Sequence, residues 1–212
     1  MRKFAAVVMM ALLPAAVRAD GEAAGDFDYY VMALSWSANW CAREGDGRGD
    51  PQCDAGRRLT FTLHGLWPQY EDGWPSYCRT VLRDPSRGET AAMADIMGGA
   101  GLAFYEWKKH GRCSGLPAAD YFAASRAAYE AIVIPEIFAD LDRDVQLPAS
   151  VVEEAFLEAN AGLARDQITI TCTDGMIAEA RICLTRDLEP RRCGDDVIRD
   201  CRMQDAVMEA VR

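Results

Sequence analysis

The sequence predicts an α+β fold, a central and mostly antiparallel β-sheet flanked by helices. Strand patterns occupy both ends of the chain and helical patterns fill the middle. Near the C-terminus, Asp174-Gly175 between two β-rich runs marks a hairpin. Neither an internal repeat nor a linker divides the chain, so a single domain is expected over residues 20–212.

Each element has its own signal. Residues 27–37 are rich in aromatic and β-branched side chains and read as a strand. Residues 44–56 carry Gly, Asp, Arg and Pro and read as a loop. Residues 59–66 form a second strand, with Leu59, Phe61 and Leu63 alternating against Thr60, Thr62 and His64. That puts His64 on the face opposite the apolar set, at the strand's end, and a loop with Gly73, Pro75 and Ser76 follows. Residues 89–97 form a short helix stopped by Gly98 and Gly99, and residues 102–110 a second stopped by Gly111. An Ala-rich helix over 120–132 carries aromatic side chains at 121, 122 and 129, and Pro135 opens a further helical turn. Ser150 and Glu153 match a capping box, starting a helix that runs to about Gly162. The hairpin strands are 167–173 and 176–184.

Composition narrows the function classes. The chain has 212 residues, 50% hydrophobic and 26% charged, which fits a packed domain and not a disordered or fibrous chain. A net charge of −10 argues against a general binder of polyanions, which needs a basic surface. Arg2 and Lys3 precede an apolar run from Phe4 to Val17, and Val17-Arg18-Ala19 places small residues where a signal peptidase cuts. Residues 1–19 therefore read as a signal peptide, and the protein as secreted or periplasmic with no membrane attachment after cleavage. Export suits the eight cysteines, 41, 53, 78, 113, 172, 183, 193 and 201. None forms a C-x-x-C pair and only two His are present, so four disulfides are expected, with no metal site and no cofactor.

Those two His stand in unusual company. His64 lies in Phe61-Thr-Leu-His-Gly-Leu-Trp-Pro-Gln69, where Gly65 leaves room for close approach and Trp67 offers a π-face to a base. His110 lies in Phe104-Tyr-Glu-Trp-Lys-Lys-His-Gly-Arg-Cys113. On a helix Glu106, Lys109, His110 and Cys113 share one face, so a carboxyl, an ammonium and an imidazole stand side by side. Two imidazoles with a Lys and a Glu meet the needs of metal-free phosphoryl transfer. One imidazole takes a proton from the nucleophile, the other gives one to the leaving oxygen, and the cation stabilises the charge that develops. RNA brings its own nucleophile, the 2′-hydroxyl, and the sequence shows no Ser or Cys nucleophile signature.

The pair HGLWP and EWKKHGRC, roughly 40 residues apart, resembles the two active-site segments of the ribonuclease T2 family. FDYYVMALSWSANWC resembles that family's first core strand, and ITCTDGMIAEARICLTRDLEPRRC its C-terminal hairpin. The resemblance implies a ribonuclease T2-like α+β fold and a monomeric endoribonuclease that cleaves single-stranded RNA through 2′,3′-cyclic phosphates, with little base specificity. It assigns His64 as general acid, His110 as general base, Glu106 and Lys109 as stabilisers of the pentacovalent phosphate, and Trp67 as a base-stacking aromatic. Two positions depart from the pattern. Tyr105 stands where a third His is frequent, and Gln69 where an acidic residue can contact the base; both are taken as substrate-binding. The resemblance also implies the pairings Cys41–Cys53, Cys78–Cys113, Cys172–Cys201 and Cys183–Cys193, which spacing alone does not select. Two other readings stay open: an inactive relative acting as a protein-binding or inhibitory module, and a disulfide-rich carbohydrate- or lipid-binding protein that uses Trp36, Trp40, Trp67, Trp74 and Trp107.

Overall fold

The computed structural model describes residues 22–212. The signal segment assigned to residues 1–19 lies outside the described residues. Strand β1 is Tyr29–Trp36, and its YYVMALSW sequence is almost entirely buried. Side chains alternate between two apolar layers. Tyr30, Met32, Leu34 and Trp36 enter the main core, while Tyr29 and Val31 join a smaller cluster with Cys183 and Cys193. A strand with apolar layers on both faces reads as a continuous hydrophobic run, which is what residues 29–36 show.

The segment after β1 differs from expectation. Residues 44–56, read as loop, carry much of a coiled run: α1 (Ser37–Trp40), a π-helical turn (Cys41–Gly45), α2 (Asp46–Arg48) and a 3₁₀ turn (Pro51–Cys53). The Cys41–Cys53 disulfide ties this run to itself, and Asn39 holds it to the sheet by donating to Ile177 O at 2.7 Å and Val207 O at 2.8 Å. Tertiary anchors of this kind support turns that local propensity does not.

Strand β2 runs Phe61–Gln69, longer than the 59–66 pattern suggests, so His64 sits in mid-strand and not at its end. Pro68 is tolerated because β2 is the outer strand of the sheet, where a missing N–H breaks no ladder. Beyond it come α3 (Arg87–Ala91), α4 (Ala94–Met97) and α5 (Ala100–Lys109). The expected 89–97 helix is thus two pieces, opened by a Ser86/Glu89 capping box. Helix α6 (Ala118–Glu130) covers the aromatic run, and a 3₁₀ turn follows Pro135. Strand β3 (Val145–Leu147) leads into α7 (Ala149–Ala159). No side chain caps α7, so the Ser150/Glu153 box does not form; Glu153 is drawn instead to Arg165, 3.3 Å away.

Strands β4 (Ile168–Thr173) and β5 (Met176–Leu184) form the hairpin, with Asp174 and Gly175 both at positive φ, as a type I′ turn requires. The last strand, β6, is Ala206–Met208. The sheet order is β2-β1-β5-β6-β3, with β4 pairing β5. All pairs are antiparallel except β5 with β6, so the sheet is mixed by that one contact. Main-core packing centres on Trp36, Phe61, Phe138 and Phe156, whose neighbouring rings lie 5.1–5.9 Å apart. Trp36 and Trp107 are fully buried there, structural and not ligand-facing. Disulfides join Cys41–Cys53, Cys78–Cys113, Cys172–Cys201 and Cys183–Cys193, leaving no free cysteine among the described residues.

Candidate active site

The site grows from an irregularity in β2. Ala33 pairs with Gly65 but Leu34 pairs with Leu63, which leaves His64 as the extra residue of a β-bulge. The apolar parity therefore switches, with Phe61 and Leu63 before the bulge and Leu66 after it facing the main core. Thr62, Gly65 and Trp67 share the opposite face with Ser35, Ala33 and Val31 of β1 and with Glu179, Arg181 and Cys183 of β5. His64 is half-buried on this second face. Gly65 has a steric reason: a Cβ there would run into the Glu106 carboxylate and the Trp67 indole.

Helix α5 brings the other half. Glu106 is 1% exposed and faces β2, where Trp67 Nε1 donates to its Oε2 at 2.6 Å, and its Oε1 lies 3.6 Å from His64 Nε2. Lys109 is the last residue of α5. His110 caps the helix with φ −117° and ψ −50° before a 3₁₀ turn at Gly111–Ser114. Its ring stacks on Trp67, with centroids 5.2 Å apart and planes at 29°, while His64 meets Trp67 edge-on at 5.1 Å. One indole thus separates two imidazoles. Gly111 follows because a Cβ there would strike Tyr121 and Trp107. The Cys78–Cys113 disulfide and the bond from Tyr77 N–H to Lys109 O at 2.8 Å fix this corner against the preceding loop.

The two imidazoles sit in opposite electrostatic surroundings. Burial works against a charge on His64, but the hydrogen bond and charge of Glu179, joined by Glu106, outweigh it and raise its pKa. His110 has no such partner. Burial, then the charges of Lys109 and His64, push its pKa down to about 3. Its Nδ1 is buried without a hydrogen-bond partner. Burial raises the pKa of Glu106 against the opposing pull of His64, Trp67 and Lys109. Glu179 is buried too, yet His64 and Arg181 hold its pKa at about 2. The cluster can hold one imidazolium, one neutral imidazole and a carboxyl biased toward its neutral form, which is a division of acid and base roles.

The Ribonuclease T2 family model matches residues 27–193. This chain belongs to the ribonuclease T2 family. Among similar proteins, a ribonuclease of Aeromonas hydrophila is 45% identical over 124 residues, 57% of this chain and 54% of that protein. A probable ribonuclease of Haemophilus influenzae is 33% identical over 120 residues, 51% and 44% of the two chains. Ribonuclease I of Escherichia coli is 31% identical over 161 residues, 56% and 60%. The chain spans about half the length of the first two of these relatives. The fold is that of an RNase-related protein from Calystegia sepium, with TM-score 0.70, 21% identity and coverage of 88% and 98%. RNase NT, solved in complex with 5′-AMP, has TM-score 0.62, 21% identity and coverage of 87% and 98%.

Within this ribonuclease T2 family member, His64, Glu106, Lys109, His110 and Trp67 come together. Trp67 is half-buried, with His110 stacked on it and the Arg181 guanidinium 5.3 Å from its centroid. Tyr105 is 47% exposed at the rim, with Lys109 Nζ 5.8 Å from its ring. Gln69 does not join the cluster: it is 4% exposed, and its amide donates to Pro68 O at 3.1 Å. The sequence reading missed Glu179 and Arg181. The signal available was two charged residues at i and i+2 in an otherwise apolar strand, which places both on one face. Among the described residues, no three His, Cys, Asp or Glu side chains are grouped to hold a metal ion, and no helix is long and apolar enough to cross a membrane.

Proposed function

We propose that this protein is an endoribonuclease that cleaves single-stranded RNA by 2′-hydroxyl transphosphorylation through a 2′,3′-cyclic phosphate, with little base specificity. The observation that carries this reading is the pair of imidazoles on either side of Trp67, one biased toward its charged form by Glu179 and one toward its neutral form by burial, with Glu106 and Lys109 beside them. Neutral His110 removes the 2′-OH proton as the 2′ oxygen attacks phosphorus; the anionic phosphate, arriving next to it, raises its basicity. The P–O5′ bond breaks, and protonated His64 gives its Nε2 proton to the departing O5′. Water then opens the cyclic phosphate with the two His in exchanged roles. The Lys109 ammonium and the neutral carboxyl of Glu106 donate to the non-bridging oxygens. Trp67 organises the two His and borders the base, and Tyr105 contributes at the rim. The chemistry needs neither metal nor cofactor.

The same reading makes residues 20–212 one catalytic domain, acting as a monomer outside the cytoplasm once residues 1–19 are removed. It is tested with purified protein on defined oligoribonucleotides in the presence of EDTA. A 2′,3′-cyclic phosphate intermediate is expected. His64→Ala and His110→Ala each lower turnover by at least about 10²-fold. Cleavage by either variant near the native rate overturns the assignment, and absence of cleavage by the native protein favours a binding role for the fold.

A further inference from the structure

The shorter of His64's two carboxylate contacts lies outside the two segments that carry the proposed chemistry. Its Nδ1 is 2.6 Å from Glu179 Oε1, which also accepts from Ser35 Oγ at 3.4 Å. Arg181 closes the other side, with Nε 2.9 Å and Nη2 2.7 Å from Glu179 Oε2. Glu179 is 8% exposed, and both of its oxygens are engaged. A carboxylate flanked by a guanidinium remains ionised and can only accept hydrogen bonds, so Nδ1 must carry the proton. Nε2 is then the free nitrogen, turned toward Glu106 Oε1.

We propose that Glu179, clamped by Arg181, is a positioning residue that fixes the tautomer, the ring orientation and the charge of His64. Resting on the ribonuclease reading above, it adds a third member to the acid arm: Arg181 orients Glu179, Glu179 orients His64, and His64 faces the leaving oxygen. The charged groups that bear on the ring are Glu179 and Arg181 from β5, and Glu106 and His110 from α5 and its end. Glu179, and Glu106 when it is ionised, favour the imidazolium; Arg181, and His110 when it is protonated, oppose it.

The two sides of the clamp therefore predict shifts of opposite sign. Glu179→Gln keeps a hydrogen-bond acceptor but removes the charge, so the His64 titration midpoint falls, by about one pH unit or more for the loss of an adjacent opposite charge. The upper limb of the kcat profile moves down with it, and the loss of kcat is larger at neutral than at acid pH. Arg181→Gln moves the midpoint up. With only two His in the chain, ¹⁵N-labelled imidazole spectra report both midpoints and tautomers without reference to activity. A Glu179→Gln protein whose His64 midpoint and Nδ1-protonated form are unchanged overturns the proposal. So does an Arg181→Gln protein whose midpoint falls or stays in place, which keeps the test open if the first variant does not fold. Absence of RNA cleavage by the native protein alongside the expected shifts overturns only the ribonuclease reading.

Discussion

At the scale of single residues, the site works by giving chemically identical groups different neighbours. His64 and His110 flank one indole, yet one has a buried carboxylate at 2.6 Å and the other an unpartnered buried nitrogen. Tyr105 is the residue where a change of charge is open to test, because it is exposed and beside Lys109. A Tyr donates one neutral hydrogen bond, whereas a His at acid pH is a cation, and a charge-assisted bond is worth about 1.5–3 kcal/mol against about 0.5–1.5 for a neutral one. Tyr105→His is expected to lower KM for RNA several-fold at acid pH with little change in kcat. The exposed position predicts an unchanged melting temperature. A drop in melting temperature with KM unmoved would show that Tyr105 packs and does not touch phosphate.

At the scale of elements, the site depends on two devices that hold side chains out of register with ordinary structure. The bulge in β2 gives His64 its place while leaving Leu63 and Leu66 in the core on either side. The end of α5 gives His110 its place through a disulfide. Cys78–Cys113 closes a separation of 35 residues, and removing a crosslink of that span costs about 3–4 kcal/mol in the loop-entropy account. Cys41–Cys53 closes only 12 and lies by the coiled run after β1. The Cys78→Ser/Cys113→Ser double variant is thus expected to lose more activity, measured well below its own melting temperature, than the Cys41→Ser/Cys53→Ser variant. Equal losses would mean that the Cys78–Cys113 bond adds stability without holding His110.

At the scale of the whole molecule, stability and activity share titrating groups, and the signs can be worked out. The folded pKa of His64 lies above its ordinary 6.5, so its contribution is fully present below 6.5 and is lost as pH rises through the folded value. Glu179, lowered from 4.5 to about 2, contributes above 4.5 and loses that contribution as pH falls through about 2. Both contributions to stability are therefore fully present between pH 4.5 and 6.5. His110 acts in the other sense: the fold prefers it neutral, and this preference costs stability as pH falls from 6.5 toward about 3. Thermal unfolding across pH is expected to show the largest deficit of His64→Ala, relative to the native protein, between pH 4.5 and 6.5, with the deficit shrinking above. A deficit independent of pH would mean that His64 contributes by packing alone. The acidic body, at −10 overall, fits a catalyst that needs only a local positive site and not a basic face.

The sequence alone determined the local parts of this protein. Alternation and helical spacing located β1, most of β2, α5, α6 and the β4–β5 hairpin, because burial of one face imposes its period on the chain. The two His segments were legible because so few residue types carry proton transfer, and the chain holds only two His. Only the tertiary structure decided how those parts meet. It placed a bulge at His64, in mid-strand, that returns Leu66 to the core, with a register that depends on β1, and it buried Gln69 at the end of β2. It also set Glu179, 115 residues away in the chain, against His64. Strand pairing chooses such partners, and no local period records which residue of one strand will face which residue of another. The different protonation states preferred by His64 and His110 follow from such packing, since burial and neighbours, and not residue type, determine which imidazole holds a proton.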